Sequence, residues 1–600
     1  MDHTKSVQFM SIPPSDRAPS ASAYTGSTTN LNDLKSKLNL LGDDGTPGCR
    51  AKDVYDTTLP WWRAGVRRKV VSTLHWESQI IAKMQERIRT PWLDSYFVYS
   101  SIFGTHTFFM IILPTLIFFG YSPMGRGLCL VLGLGIYIPS VIKDLFCSPR
   151  PFAPPVTRLT IGSHHLEYGF PSTHSTNGVS IALFFFAHIH RLANTSAAAI
   201  SPELYSLLCT ILFLYAFSVV FGRLYTAMHS FTDCIAGTIL GASIWWWHTD
   251  WAGIPCYISA SNPIHNVLTL LGFGEIDAIS GSLLVYVGKG LRAGEWTERW
   301  IREGGWEVPL ILIPLYLLAV HYHPQPVDDC PCFEDSIAIL SVVLGVYVSR
   351  WVTCYTKLSL GGTVVMPGSG WLLVANEWVR VERGLSDILL WWSVAVLKNA
   401  LGVLIIFVWR IIAKSALHLI LPPTYRLLAR AFQLPHRRFY TPATEYKSVP
   451  SEFHSSGDGG GFGLHPIPSV IDLPSPGQMG VEVGGIGSGV EGVSNVEGVS
   501  SVHMDGERDV KIRSGTGASL ATSGSLVSHD NEKIGSVSPG PVLDKESTGK
   551  EGQAPPVKHY DADVLTKLIV YAGIAVIGGE VVPLIFDLLG WGGASWPVGE

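Results

Sequence analysis

The sequence of 600 residues has few charged side chains, which make up only 15% of it. Ordinary soluble domains carry roughly 25% charged residues. Because 47% of the residues are hydrophobic and 19 are tryptophan, this scarcity of charge predicts an integral membrane protein. The sequence also lacks a basic stripe with interleaved aromatic residues, so nucleic acid is not an expected partner.

The sequence lacks the cysteine and carboxylate patterns of disulfide-rich or metal-binding proteins. Four of its nine cysteines lie in or beside apolar runs, where buried free thiols are expected: Cys129, Cys147, Cys209 and Cys234. Cys330 and Cys332 lie in a polar loop and could be oxidised if that loop is lumenal, but this pair alone has too few ligands for zinc. No cluster of Asp and Glu has metal-ligand spacing, so neither a metal nor another cofactor is predicted.

Large apolar residues are scarce at the N-terminus and in a long stretch near the C-terminus. Residues 1–60 are polar, which predicts a disordered segment without a cleavable signal peptide. Residues 413–563 begin basic and become rich in Gly, Ser, Val and Glu, which predicts a disordered linker. Residues 61–92 place basic side chains opposite apolar ones. Such a segment either lies in the membrane interface or forms a short helix that covers its neighbours.

Apolar runs long enough to cross a bilayer fill much of the remaining sequence. Since a spanning helix needs about 20 apolar residues, we expect an all-α polytopic membrane helix bundle with about 8–10 transmembrane helices. The clear runs lie near residues 95–119, 127–147, 175–191, 204–222, 233–251, 307–322, 336–355, 387–412 and 564–589. They predict a first membrane domain over 93–251, which contains the polar segments described next, additional membrane helices over 252–412 and a terminal helix over 564–590. Residues 252–304 read as one imperfect span or two interfacial pieces, and residues 363–382 are ambiguous.

Three short polar segments lie where apolar runs begin or end, and ionisable residues at such depths indicate a functional site. Their candidate site residues are Lys143, Arg150, Ser172, Thr173, His174, Arg223, His229 and Asp233. The two apolar runs between the second and third segments carry the chain across the membrane and back. We therefore expect all three segments to meet on one face.

Each segment alone also has a structural explanation. Lys143 and Arg150 could extend to lipid headgroups, or together bind an anion such as phosphate. Ser172 could cap the following helix or donate to a phosphate oxygen at the helix N-terminus. His229 and Asp233 are four residues apart, so on a helix they would share a face, and a carboxylate holding one imidazole nitrogen leaves the other as nucleophile or base. Together the segments predict phosphoryl transfer without a metal.

The motifs Lys-x6-Arg-Pro, Pro-Ser-x-His and Arg-x5-His-x3-Asp resemble the three signature blocks of the type 2 phosphatidic acid phosphatase superfamily. The residues from Arg150 to Pro155 and the run Glu167-Tyr-Gly-Phe-Pro-Ser-Thr-His174 are similar to the sphingosine-1-phosphate phosphatase branch, including its fungal dihydrosphingosine-1-phosphate members. One departure is Gly222, because the superfamily usually has Ser before the arginine of the third block.

The resemblance implies a role for each candidate. His229 would be the nucleophile that forms a phosphohistidine, Asp233 would orient it, and His174 would protonate the leaving alkoxide and then activate water. The phosphate oxygens would be held by Lys143, Arg150, Ser172, Thr173 and Arg223.

The resemblance also implies the substrate class and location. We expect a multi-pass lipid phosphatase of the endoplasmic reticulum membrane, with a lumenal site, whose partners are a phosphorylated sphingoid lipid substrate and membrane lipid. The basic segment at 61–92 instead favours a cytosolic N-terminus. Alternatives are the same chemistry on phosphatidate or on an isoprenoid or diacylglycerol pyrophosphate, or a non-catalytic transporter or scaffold. The oligomeric state is left open by the sequence.

Overall fold

The computed structural model describes residues 46–101, 106–160, 167–194, 200–270, 275–276, 282–358, 364–374, 377–432, 437–442, 482–484 and 559–592. Most of the segments predicted to be disordered lie outside these ranges. Residues 46–60 do not, and the prediction was wrong for them. Helix α1 (Lys52–Thr58) lies there and buries the Tyr55 ring completely.

Helices dominate the described part of the chain. In order they are α1 (Lys52–Thr58), α2 (Trp61–Ile88), α3 (Pro91–Ser100), α4 (His106–Phe118), α5 (Ser122–Phe146), α6 (Thr173–Asn194), α7 (Pro202–Tyr225), α8 (Phe231–His248), α9 (Pro263–Leu270), α10 (Ala293–Glu303), α11 (Glu307–His321), α12 (Cys332–Thr356), α13 (Leu385–Leu428), α14 (Asp561–Val576) and α15 (Val582–Leu588). A π-helical turn, Ile577–Val581, joins α14 to α15.

Five of these helices are long and apolar enough to cross a membrane: α5, α7, α12, α13 and the continuous α14–α15. Helix α11 is apolar but shorter. These helices confirm the predicted polytopic helix bundle, and the chain is a multi-pass membrane protein. Helix α6 is not among these five because polar residues in its first turns lower its mean hydropathy. These polar residues nevertheless lie buried: Ser175, Thr176, Asn177 and Ser180.

The predicted boundaries differ from the structure in three places. The run 95–119 is two helices, because α3 ends at Ser100 and α4 begins at His106. Residues 252–304 were expected to be one imperfect span or two interfacial pieces. Their described part holds short strands with α9 and α10 and no helix long and apolar enough to cross a membrane, so the alternative of one span was wrong there. The basic stretch that follows residue 413 continues α13 as far as Leu428 rather than forming a linker.

Short strands pair outside the helices. They are β1 (Arg158–Thr160), β2 (Ile254–Ile258), β3 (Glu275–Ile276), β4 (Leu283–Val287), β5 (Trp371–Val374), β6 (Glu377–Arg380), β7 (Tyr440–Thr441), β8 (Glu482–Gly484) and β9 (His559–Tyr560). The sheet order is β2–β4–β3, β5 and β6 form a hairpin, β1 pairs antiparallel with β8, and β7 pairs parallel with β9. The ambiguous run 363–382 is therefore largely the β5–β6 hairpin, because its apolar segments are too short to cross a bilayer.

Helix α6 lies at the centre of the catalytic region and packs against α5, α7 and α8. Two glycines of α8 permit the closest of these contacts. A Cβ atom at Gly237 would lie 2.5 Å from the Ser172 carbonyl oxygen, and one at Gly241 would lie 2.3 Å from the Thr176 carbonyl oxygen. The first turns of α6 and α8 are consequently side by side, and Ser172 N donates to the Asp233 carbonyl oxygen at 3.1 Å.

Candidate active site

The first polar segment lies at the C-terminal end of α5. This helix ends at Phe146, and the next residue, Cys147, has a left-handed φ of 50° while its N–H bonds back to the Lys143 carbonyl at 2.8 Å. Lys143 therefore projects from the last turn and Arg150 from the segment beyond, as predicted. Both side chains are buried, with only 3% and 4% of their surfaces exposed.

The second segment begins α6. Ser175 N donates to Ser172 Oγ at 3.3 Å, so Ser172 caps the helix, and Ser175 Oγ donates to the same oxygen at 3.0 Å. Thr173 is the first helical residue, and its Oγ1 is buried with no hydrogen-bond partner among the described residues. His174 follows in the first turn and is half-buried.

The third segment joins α7 to α8. Arg223 lies in the last turn of α7, and its Nε is buried without a hydrogen-bond partner in the described part of the chain. Ser230 and Asp233 form a capping box at the start of α8, with Ser230 N donating to Asp233 Oδ2 at 2.9 Å and Asp233 N donating to Ser230 Oγ at 3.2 Å. His229 precedes this cap, so it does not share a helix with Asp233 as the spacing suggested.

The hydrogen bonds of His229 define its tautomer. Arg150 Nη1 lies 3.1 Å from His229 Nε2, and a guanidinium can only donate, so Nε2 accepts this bond and carries a lone pair. The other nitrogen, Nδ1, then bears the hydrogen and donates to the Gly169 carbonyl oxygen at 2.9 Å. Asp233 Oδ2 is 3.7 Å from Nδ1. The orienting hydrogen bond therefore comes from Gly169, and Asp233 acts on the imidazole mainly through its charge.

The electrostatic surroundings keep His229 neutral. Burial, reinforced by the charge of Arg150, lowers the pKa of this imidazole to about 4. A neutral imidazole with its Nε2 lone pair directed toward a cation is prepared to attack an electrophile held by that cation.

Three cations converge beside His229, and one carboxylate lies among them. Lys143 Nζ pairs with Glu167 Oε2 at 2.6 Å, and Arg150 Nη2 lies 3.6 Å from the same oxygen. Arg150 is fixed further by donating to the Glu167 and Met228 carbonyl oxygens at 2.9 and 2.7 Å. Arg223 interacts electrostatically with both Arg150 and Glu167. We call Lys143, Arg150 and Arg223 the cation cradle.

Glu167 was not among the residues singled out from the sequence. It stands in the run that resembles the sphingosine-1-phosphate phosphatase branch, immediately before Tyr168 and Gly169. A count of charges in the three segments could have found it, because three cations against the two carboxylates of Asp144 and Asp233 leave an excess of positive charge.

Helix α2 covers the site with its polar face. Arg63 Nε donates to the Leu145 carbonyl oxygen at 2.6 Å, and Arg67 Nε donates to that of Cys147 at 3.1 Å. These arginines satisfy carbonyl groups that the end of α5 leaves open, a favourable position for cations. Of the two alternatives for residues 61–92, the structure supports the helix that covers its neighbours.

Asp328 anchors the loop that carries Glu167, although it lies outside the predicted catalytic domain. Its Oδ2 accepts hydrogen bonds from Gly48 N at 2.8 Å, Tyr55 Oη at 2.7 Å and Tyr168 Oη at 3.0 Å, and its Oδ1 pairs with Arg50 Nε at 2.8 Å. Three distant parts of the chain thus meet at one carboxylate. Residues missed by the sequence reasoning therefore fix the position of the Gly169 carbonyl and, through it, of His229.

The departure at Gly222 has a steric explanation. A Cβ atom built at this position would lie 3.2 Å from Cδ1 of Phe97 on α3. A serine side chain at this position would crowd the Phe97 ring, so glycine allows α3 and α7 to pack closely.

One group of potential metal ligands occurs among the described residues, and one of its members, Asp144, directly follows Lys143. Ligand atoms of Asp144, Cys330 and Cys332 lie within 4.8 Å of one another. The two sulfur atoms are bonded to each other in a disulfide, however. They are therefore not thiolate ligands, and the alternative that this pair is oxidised is the one that the structure contains.

Comparison with known proteins identifies the family. The PAP2 superfamily model matches residues 124–253. A dihydrosphingosine 1-phosphate phosphatase of Schizosaccharomyces pombe is 31% identical over 62% of this chain and 74% of its own length, and one of Saccharomyces cerevisiae is 29% identical over 64% and 77%. A crystal structure of a transmembrane PAP2 type phosphatidylglycerolphosphate phosphatase from Bacillus subtilis is 22% identical and covers 31% of this chain and 91% of its own, with a TM-score of 0.24. The chain belongs to the PAP2 superfamily, in its branch of sphingosine and dihydrosphingosine 1-phosphate phosphatases.

Proposed function

We propose that this protein hydrolyses long-chain base 1-phosphates, such as dihydrosphingosine 1-phosphate, to the sphingoid base and inorganic phosphate. The observation that carries the proposal is the neutral His229, whose Nε2 lone pair meets Arg150 at 3.1 Å inside the cation cradle. The yeast relatives, which are named for this activity, support the substrate class.

In the first half-reaction, the phosphate of the lipid enters the cation cradle. Lys143, Arg150 and Arg223 balance the charge on its oxygens, assisted by the Ser172 and Thr173 hydroxyls and the backbone amides of the first turn of α6. Arg150 Nη1 first transfers its hydrogen bond from His229 Nε2 to a phosphate oxygen, which frees the Nε2 lone pair. His229 Nε2 then attacks phosphorus while the bond to the lipid oxygen breaks, and His174 gives that oxygen a proton. The phosphohistidine is positively charged on the ring, and Asp233, 3.7 Å from Nδ1, stabilises that charge.

In the second half-reaction, the same two histidines act in reverse. His174, now deprotonated, takes a proton from water as that water attacks phosphorus. The bond to His229 Nε2 breaks and inorganic phosphate leaves. The Gly169 carbonyl, which accepts from Nδ1 at 2.9 Å, keeps the imidazole in the tautomer required for the next cycle.

We further propose that the site faces the lumen of the endoplasmic reticulum. The disulfide of Cys330 and Cys332 supports an oxidising compartment on this side, because Asp144 beside it directly follows Lys143. A glycosylation acceptor inserted into the loop of residues 152–168 should be glycosylated in microsomes. An acceptor that stays unmodified there, while a lumenal control is modified, would place the site in the cytosol.

The activity can be tested with purified full-length protein in detergent micelles. Dihydrosphingosine 1-phosphate should be hydrolysed faster than phosphatidate, diacylglycerol pyrophosphate or a polyprenyl pyrophosphate. His229→Ala should abolish phosphate release, whereas His190→Ala, at the far end of α6, should retain it. Equal turnover by wild-type protein and His229→Ala would refute the mechanism, and a preference for another lipid would refute the substrate assignment.

A further inference from the structure

Glu167 pairs with two of the three cations to which the proposed function assigns the substrate phosphate. Its carboxylate pairs with Lys143 Nζ at 2.6 Å and lies 3.6 Å from Arg150 Nη2. Its side chain is 16% exposed, whereas those of its two partners are nearly inaccessible. The carboxylate thus lies on the more solvent-exposed side of the cation cradle and offsets part of its positive charge.

A phosphate bound in the cradle forces Glu167 to give up this position. The dianion and the carboxylate would compete for the same donors on Lys143 and Arg150, and like charges at hydrogen-bond distances repel strongly in a partly buried site. The displaced carboxylate then lies beside the phosphate, at the open side of the cradle. It remains charged only if a cation compensates it there.

A long-chain base 1-phosphate brings such a cation with it. Its ammonium group is on the carbon atom next to the one that bears the phosphate ester. When the phosphate takes the place of the Glu167 carboxylate, the ammonium is therefore held within a few bonds of that carboxylate. We propose that Glu167 is a specificity-determining residue that binds the substrate ammonium after the phosphate has displaced it from Lys143 and Arg150. This inference rests on the proposed function and deepens it.

The same residue selects against lipids that lack the amine. Phosphatidate and N-acylated sphingoid phosphates fill the cradle but bring no cation to offset the repulsion between Glu167 and the phosphate dianion. Specificity then arises from both a favourable contact with one lipid and a repulsion of the others. A hydrogen bond to a charged group contributes enough for a discrimination of about 10- to 100-fold.

The test compares two lipids that differ only at nitrogen: dihydrosphingosine 1-phosphate and its N-acetyl derivative. Full-length wild-type protein, Glu167→Gln and the exposed α2 control Glu86→Gln are assayed for kcat and KM in the same micelles. In wild-type protein and the control, kcat/KM should favour the free amine by about tenfold or more. Glu167→Gln should lose this preference through a higher KM for the free amine, with kcat/KM for the N-acetyl lipid unchanged or increased.

A second measurement examines the displacement itself. Because no carboxylate competes for the cradle in Glu167→Gln, this variant should bind inorganic phosphate several-fold more tightly than wild-type protein does. The binding is measured as a lower inhibition constant against any lipid that is hydrolysed, or by ³¹P NMR of the protein without lipid. If Glu167→Gln does not fold, Glu167→Asp replaces it and should reduce the preference for the amine, because its carboxylate is one methylene shorter.

The proposal is overturned if wild-type protein does not distinguish the two lipids, or if both lose activity equally in the variant. Equal loss would mean that Glu167 only positions the cradle. Failure of the proposed function gives a different result, because wild-type protein would then hydrolyse no sphingoid phosphate. In that case, the binding of inorganic phosphate would still show whether Glu167 competes with phosphate for Lys143 and Arg150.

Discussion

Buried charges are treated differently in two regions of this protein. In the outer bundle, formed by α10–α15, two buried lysines have individual partners: Lys398 on α13 donates to the Gly592 carbonyl at 2.7 Å, and Lys567 on α14 pairs with Glu334 on α12 at 2.8 Å. At the site end of α5–α8, Lys143 and Arg150 share the Glu167 carboxylate, and the Arg223 Nε has no hydrogen-bond partner among the described residues.

This difference distinguishes structural charges from functional ones. A buried charge with one matched partner holds two elements together, and removing its partner is costly. Several like charges that converge lower the stability of the free protein because they repel one another. A bound anion offsets this repulsion. Variants of the site end should therefore lose activity and keep their stability, whereas variants of paired charges should do the reverse.

The largest effect should come from His174→Ala. Removal of the acid and base that acts on both half-reactions should lower kcat by about 100- to 10,000-fold. The melting temperature in detergent should change little, because His174 is only half-buried at the start of α6. Single-turnover phosphate release measures the effect.

His190→Ala is the matched control, since it removes an imidazole from the opposite end of the same helix. It should retain nearly full activity. If His174→Ala instead unfolds the protein while its residual activity per folded molecule is normal, His174 belongs with the structural residues.

The next effect compares two buried arginines. Arg223→Ala should lower kcat/KM by about 100-fold or more, as expected for the loss of a donor to the transition-state charge. It should not lower the melting temperature, because the Nε that it removes has no partner in the described part of the chain.

Arg126→Ala should behave oppositely. Arg126 lies near the other end of α5 and forms an ion pair with Glu298 of α10. Its loss leaves Glu298 with only the more distant Arg350, whose Nε lies 3.7 Å from Oε1. This should lower the melting temperature by several degrees and change kcat/KM less than threefold. Similar behaviour of the two variants would remove the distinction between the regions.

Asp328→Asn should have an intermediate effect on both measurements. The amide can still accept bonds from Tyr55 and Tyr168, but it loses the ionic attraction to Arg50, which lies 2.8 Å away. We expect about a tenfold loss of kcat/KM and a destabilisation of about 2 kcal/mol. Thermal unfolding with and without inorganic phosphate would separate the effect on stability from the effect on the site. Full activity in a destabilised variant would show that Asp328 does not position His229.

The last effect concerns pH. Burial lowers the pKa of His323, as well as that of His229, to about 4 in the folded protein. An unfolded histidine titrates near 6.5, so between these values the unfolded state binds more protons and stability falls as the pH decreases. Each histidine should reduce the free energy of unfolding by on the order of 2 kcal/mol between pH 7 and pH 5.

Thermal unfolding across this range measures the loss, and His323→Gln should flatten the dependence. His190→Gln serves as the control. A melting temperature that rises as the pH falls from 7 to 5 would contradict the assignment of these two groups as neutral.

Some features of this fold follow from local sequence alone. The length of apolar runs predicts most of the membrane helices, because the bilayer thickness sets that length. The end of α5 after Lys143 depends on neighbouring residues and was predicted from them. The capping of α6 by Ser172 was one of the two alternatives that the local sequence offered. The β2–β4–β3 sheet was not, because an apolar run of about five residues fits a strand or part of a helix equally well.

The sequence by itself therefore determined the class of the protein and the residues of its three polar segments, since polar groups at the ends of apolar helices are costly unless they have a function. Only the tertiary structure decided how those residues are held. The Gly169 carbonyl orients His229, and Glu167 lies in the cation cradle. Asp328 accepts from Gly48 N across 280 residues of chain. Such partners are set by the packing of distant helices, for which the local pattern of residues carries no signal.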